Sequence, residues 1–349
     1  MVSNVKQNPE IQTTESQPVL AVKNLKTQFL TAEGVVTAVD DVSFCLPRAA
    51  TLGLVGESGC GKSILALSIL RLILFPGRIS GGEIWLSGSP NKGGGEEPVD
   101  LLKLPEHEMR RVRGARIAMI FQEPMTALNP VFTVGNQIME AIRAHQKVNP
   151  QAARERAIEM LRAVAIPLPH LRMNDYPHQL SGGLRQRAMI AMALATEPEL
   201  LIADEPTTAL DVTIQSQIID LLADLKERFH LSLLIISHDL GVIAQVADSV
   251  AIMYAGKIVE EASARDLFKN PLHPYTQALL AAVPRLDPSR KHRTRLETVS
   301  GSVPDLKTLS LGCAFQPRCK FEMGTRCSGS AIPVITTQLD HSVRCIKYG

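Results

Sequence analysis

Eight consecutive residues, Gly56-Glu57-Ser58-Gly59-Cys60-Gly61-Lys62-Ser63, fit the phosphate-loop pattern G-x-x-x-x-G-K-[ST] at every fixed position. Each fixed residue type has a reason in phosphate chemistry. Glycines let the backbone come close to the anion, and N–H groups at the opening of the next helix point at it. A lysine at this place reaches the β- and γ-phosphates, and the adjoining hydroxyl ligates Mg²⁺. The stretch therefore predicts a nucleoside-triphosphate site built from Gly56 to Ile64, with Lys62 on the phosphates and Ser63 on the metal. Asp204-Glu205 closes the apolar run Leu200-Leu201-Ile202-Ala203. Two carboxylates at the carboxyl end of a buried strand complete such a site, one holding Mg²⁺ and the other polarising water. Leu180-Ser181-Gly182-Gly183 runs into the helical stretch Ala188–Ala195 and makes a second Ser/Gly-rich helix N-terminus. One chain thus offers two phosphate-binding ends.

Four of the six cysteines, Cys313, Cys319, Cys327 and Cys345, gather near the C-terminal end, while Cys45 and Cys60 lie far away in the chain. The spacings of five, seven and seventeen intervening residues lack the paired C-x-x-C hooks of structural zinc and also differ from ferredoxin runs. Disulfides are not expected in a cytosolic chain. Four thiolates suit a 4Fe-4S cluster, and Arg318, Lys320, Arg326 and Arg344 flank them, where positive charge offsets that of an anionic cluster. Zinc and unligated thiols are the alternatives.

These residues need elements to position them. At 349 residues, 45% hydrophobic and 21% charged, the chain has the composition of a soluble globular protein with at least two packed units. A net charge of +2 gives no reason to expect nucleic acid as the partner. Residues 1–18 are polar and read as a disordered tail without a signal peptide, and no apolar run has the length of a membrane span. Thr51–Val55 reads as a buried strand before the phosphate loop and Ser63–Leu70 as an apolar helix after it. Partial alternation from Leu20 to Leu46 predicts antiparallel strands, with Phe29 among them, and Gly81–Leu86 predicts another. Asn91–Pro98 is a flexible loop by composition. Ile117–Phe121 reads as a buried strand leading to Gln122, and Val134–Ile166 turns helical. Leu200–Ala203, Leu233–Ile236 and Val250–Tyr254 return as strands of a mostly parallel, helix-covered sheet. Composition shifts to Pro-rich and then Cys-rich past Leu267.

In order along the chain, Gly56–Ser63, Leu180–Gly183, Asp204-Glu205, Ala209-Leu210-Asp211 and Ser237-His238-Asp239 resemble the ATP-binding cassette (ABC) family. The resemblance covers most of the chain, and its most specific part is Leu180–Gly183. It implies an α/β P-loop NTPase core over 19–266 with an antiparallel β subdomain and a helical insertion at about 123–190, followed by a Cys-rich C-terminal extension at 267–349. It also implies a head-to-tail dimer, in which ATP on one subunit's phosphate loop is closed over by Ser181 and Gly183 of the other, with Gly182 between them. By the same resemblance Phe29 stacks on adenine, Gln122 senses metal and water, Glu205 is the general base and His238 contacts the γ-phosphate. Leu184 and Cys60 depart from the usual pattern without removing a catalytic group.

A narrower similarity lies in Gln122–Pro130, Asp204–Thr213 and Asn270–Leu280, which look like the ATPase subunits of dipeptide, oligopeptide and nickel importers. This implies a second ABC ATPase subunit, either a copy or a related chain, and two transmembrane permease subunits. An extracytoplasmic solute-binding protein acts indirectly, and the chain sits peripherally on the cytoplasmic face of the inner membrane. Residues between Gln122 and Val134 would couple the nucleotide site to the permeases. Similar C-terminal cysteine sets occur in that group, in support of the 4Fe-4S cluster. The competing expectation is a soluble cassette ATPase in DNA repair or translation; a single cassette, no coiled-coil insertion and near-neutral charge weigh against it. No residue reads the solute.

Overall fold

The computed structural model describes residues 18–88, 97–123, 127–208, 210–283, 301–302, 304–307, 309, 311–337 and 341–349. The expected tail at 1–17, most of the Gly-rich loop and Ala209 lie outside the described residues.

Alternating apolar residues ahead of the phosphate loop form two long antiparallel strands, β1 (Leu20–Thr31) and β2 (Gly34–Leu46), with Thr31 opposite Gly34. β3 (Thr51–Val55) is buried along its whole length. β4 (Gly77–Leu86) pairs with the other edge of β1, and the short β5 (Val99–Asp100) completes a four-stranded sheet in the order β2-β1-β4-β5. β4 begins four residues before the expected Gly81, because the ladder runs on to place Gly77 beside Phe29.

The second sheet contains β6 (Ile117–Ile120), β7 (Leu200–Asp204), β8 (Ser232–Ser237), β9 (Ser249–Tyr254), β10 (Lys257–Ser263), β11 (Ile335–Thr336) and β12 (Ser342–Val343). Its order is β11-β12-β10-β9-β3-β8-β7-β6, and β9, β3, β8, β7 and β6 are parallel. These central strands read as continuous apolar runs because both of their faces are covered. Successive side chains part to opposite faces. Leu200 and Ile202 join Val39, Leu65 and Ile69 in one cluster, whereas Leu201 and Ala203 join Ile138, Leu161 and Ile190 in the other. Pairing of β6 stops at Ile120, so Phe121 lies outside the strand and is 40% exposed, contrary to the buried end expected for it.

The helical insertion holds Val134–His145, Pro150–Ala163 and Gly182–Leu194. Thr133, Asn149 and Ser181 cap their first turns by accepting from Asn136, Ala152 and Leu184 N–H groups. Such caps contribute about 1 kcal/mol each.

The residues past 267 share this core. β12 pairs with β10, the buried His341 lies 2.7 Å from the buried Glu260, and Tyr254 is packed by a tilted Tyr275 ring and an edge-on Phe315 ring. Among the described residues no helix is long and apolar enough to cross a membrane.

Candidate nucleotide site

The phosphate loop spans the carboxyl end of β3 and the start of helix Lys62–Ile69. Glycine is required at two of its positions by space. A Cβ on Gly56 would stand 2.2 Å from the Met253 carbonyl oxygen. Gly61, at φ +106°, would put one 2.2 Å from the Ala38 carbonyl oxygen. Lys62 is buried, and its Nζ donates to the carbonyls of Gly56 at 2.8 Å and Glu57 at 3.1 Å. The ammonium is thus held inside the loop by two of the loop's own carbonyls. Cys60 is buried with its Sγ 3.9 Å from Lys62 Nζ, and desolvation raises its thiol pKa, so it sits there as a neutral thiol.

The Ser63 hydroxyl donates to Asp204 Oδ1 at 3.1 Å, which joins the loop to the end of β7. Asp204 is 4% exposed, and burial lifts its pKa although Ser63 and Lys62 act the other way. A buried carboxylate whose charge is penalised, held against a serine hydroxyl, is the donor set of a hard cation with oxygen ligands. Ser63 and Asp204 therefore fit Mg²⁺.

Glu205 follows at φ +47°, a left-handed conformation that an L-residue adopts only when its surroundings impose it. Its N–H is fixed by the Ile236 carbonyl at 2.9 Å. The turn aims the carboxylate at three donors: Gln122 Nε2 at 3.3 Å, Thr208 Oγ1 at 2.8 Å and His238 Nδ1 at 3.2 Å. Ends of three strands, β6, β7 and β8, deliver these residues to one place. Thr208 was not singled out beforehand; a hydroxyl three residues after a strand-end glutamate is the signal that marks it.

Ser181 and Gly182 are exposed at the N-terminus of helix Gly182–Leu194, with Gly183 half-buried against Ile214. Phe29 is half-buried on β1 beside Gly77. Ile64 packs against the β1–β2 core.

The four C-terminal cysteines line one small cavity together with Phe315, Phe321 and other residues, and all are free thiols. Burial raises the Cys313 thiol to about 11, with further upward pushes from Cys345, Cys319 and Cys327. Backbone N–H groups of Phe321 and Met323 donate to the sulfurs of Cys319 and Cys327, each at 3.4 Å. Among the described residues, however, no group of three or more Cys, His, Asp or Glu side chains is close enough to hold a metal ion. The ligand set expected there is not preassembled. Two of the four flanking cations are also committed elsewhere: Arg318 to Glu57 and Arg344 to Asp41.

A strand–loop–helix phosphate cradle, with an aspartate on its serine and a glutamate beside a glutamine and a histidine, defines a P-loop NTPase of the hydrolase type. Residues 39–208 match the ABC transporter family, and residues 259–327 match the family "Oligopeptide/dipeptide transporter, C-terminal region". The "Probable peptide ABC transporter ATP-binding protein y4tR" of Sinorhizobium fredii is 51% identical, over 94% of each chain. The "Oligopeptide transport ATP-binding protein AppD" of Bacillus subtilis is 46% identical over 95% of this chain and 97% of its own. A dimeric ATP-binding cassette, MJ0796, in a post-hydrolysis state bound to ADP and Pi, superposes with a TM-score of 0.61 at 25% identity, covering 70% of this chain and 99% of the other. The chain belongs to the ABC transporter family of ATPases, and it hydrolyses ATP.

Proposed function

We propose that this chain is the ATP-hydrolysing subunit that energises import of peptides through an ABC transporter. One observation carries this reading: an assembled hydrolytic constellation and a C-terminal region of the oligopeptide/dipeptide transporter type lie on a single chain. The alternative of a cassette ATPase in DNA repair or translation has no support from that region or from relatives named for peptide transport.

Hydrolysis follows from the positions of the side chains. Lys62 leaves the Gly56 and Glu57 carbonyls for the β- and γ-phosphates, exchanging two neutral acceptors for anionic ones. Ser63 and Asp204 would hold Mg²⁺, which when bound would supply positive charge against the phosphate oxygens. Glu205, oriented by Gln122, Thr208 and His238, takes a proton from water as its oxygen attacks the γ-phosphorus and ADP departs. Most of the rate comes from such positioning and electrostatics. Phe29, half-buried on β1, would stack on adenine.

The exposed Ser181-Gly182 helix start supports a second ATPase subunit that brings its own helix start to this phosphate loop. Val131 and Phe132, 70% and 50% exposed in the stretch after Gln122, support docking of two transmembrane permease subunits there. Binding would be peripheral, on the cytoplasmic face of the inner membrane, with an extracytoplasmic solute-binding protein acting through the permeases. Convergence of four free thiols on one cavity supports a structural 4Fe-4S cluster on Cys313, Cys319, Cys327 and Cys345, since a cluster spaces its ligands around a volume rather than a point. Iron analysis and the colour of anaerobically purified protein test this part.

Co-purification tests the transport reading. The tagged chain, extracted gently in detergent, should carry two transmembrane proteins and a second ATPase subunit. Recovery of the chain free of membrane proteins, with ribosomes or DNA instead, overturns it.

A further inference from the structure

Glu57, the second residue of the phosphate loop, is fastened at three points. Its N–H donates to the Tyr275 phenol oxygen at 2.9 Å, and its carbonyl accepts from Lys62. Its carboxylate receives both terminal nitrogens of Arg318, at 2.7 and 2.9 Å. Arg318 lies 261 residues away in sequence, and its side chain is 5% exposed against 22% for Glu57. Arg318 also donates to the Tyr254 hydroxyl at 3.2 Å and lies 5.8 Å from the ring centroids of Tyr254 and Phe315. Its fork is therefore held by an aromatic frame that belongs to β9 and to the C-terminal region.

We infer that Arg318 is a positioning residue for ATP binding: from the C-terminal region it clamps Glu57 and so sets the phosphate loop. The inference rests on the ATPase reading above. A carboxylate in the second loop position adds negative charge where a triphosphate must bind. The bidentate guanidinium both neutralises that charge and turns it away from the cradle. An ion pair whose arginine is buried and whose glutamate is half-buried cannot lose one member cheaply, because the other is left as a poorly compensated charge. The effect falls on binding rather than turnover, since Arg318 and the Glu57 carboxylate stand outside the Gln122, Glu205 and His238 cluster that would activate water.

The test is a double-mutant cycle on the full chain, read as KM for MgATP, kcat, and Kd for a fluorescent ATP analogue. Arg318→Gln should raise KM and Kd about tenfold while kcat stays within about twofold. In a Glu57→Gln background the same Arg318→Gln change should shift KM by less than about twofold, since no carboxylate remains to be released. If Arg318→Gln does not fold, Arg318→Lys keeps the charge without the fork and should raise Kd about threefold, again only when Glu57 is present. Unchanged Kd in the Arg318 variants overturns the inference. So does an equal rise in the Glu57→Gln background, which would make Arg318 merely a staple for the C-terminal region. Parent protein that fails to hydrolyse ATP speaks against the ATPase reading instead.

Discussion

His238 Nδ1 stands 3.2 Å from the Glu205 carboxylate, so the residue that would contact the γ-phosphate and the residue that would activate water are bonded to each other before nucleotide arrives. A carboxylate can only accept, so Nδ1 carries the hydrogen and Nε2 is left to turn outward. Glu205→Gln keeps the shape but cannot take a proton from water. Turnover should fall about a thousandfold while ATP still binds. Size-exclusion chromatography with ATP should then show a closed dimer accumulating; a variant that hydrolyses ATP within a few-fold of the parent removes Glu205 as base.

Asp204 is a buried carboxylate that accepts from the Ser63 hydroxyl. Its pKa is raised chiefly by burial, so its charge costs stability in the nucleotide-free protein. Asp204→Asn should therefore stabilise the free protein by about 1 kcal/mol, seen as a higher melting temperature, while Mg²⁺-dependent hydrolysis is lost. Addition of Mg-ATP should stabilise the parent and not the variant. A variant less stable than the parent without nucleotide would show that the carboxylate serves the fold.

The exposed Ser181 cap should act on a partner's nucleotide. Ser181→Arg protein and Lys62→Ala protein should each be inactive alone, one lacking a functional Leu180–Gly183 helix start and the other a functional phosphate loop. Mixed, they can form one composite site from the intact halves, and about a quarter to a half of parental activity should return. If mixing never raises activity above that of either variant alone, the shared-site arrangement fails.

Burial raises the pKa of Glu261 on β10 from 4.5 to about 7. A folded-state pKa above the unfolded value means that the native protein binds the extra proton. That contribution is fully present below pH 4.5 and is lost as pH rises through about 7. Chemical denaturation should show stability declining between about pH 5 and 7.5 by about 2 kcal/mol more in the parent than in Glu261→Gln. Parallel curves for the two proteins would refute it.

The sequence by itself determined the chemistry with a local origin. Gly56, Gly61, Lys62 and Ser63 fall within eight consecutive residues because one loop of backbone wraps one phosphate group in this pattern, so spacing alone exposes them. The parallel strands were legible as apolar runs, and the helix starts at Thr133, Asn149 and Ser181 carry their own caps. Only the tertiary structure decided what depends on distant segments. Gln122, Glu205 and His238 meet because β6, β7 and β8 are parallel neighbours whose carboxyl ends point the same way. Arg318 reads in sequence as one cation among four beside the cysteines, and the fold gives it to Glu57 instead. The four cysteines share a cavity without being drawn to a single point. The tail residues Ser342–Val343 are too short to register as a strand, and they become one only because β10 presents an open edge. Local patterns record what the backbone does within a few residues. Contacts across 261 residues of sequence, such as Arg318 to Glu57, leave no periodicity and are fixed only when the sheet and its core bring the segments together.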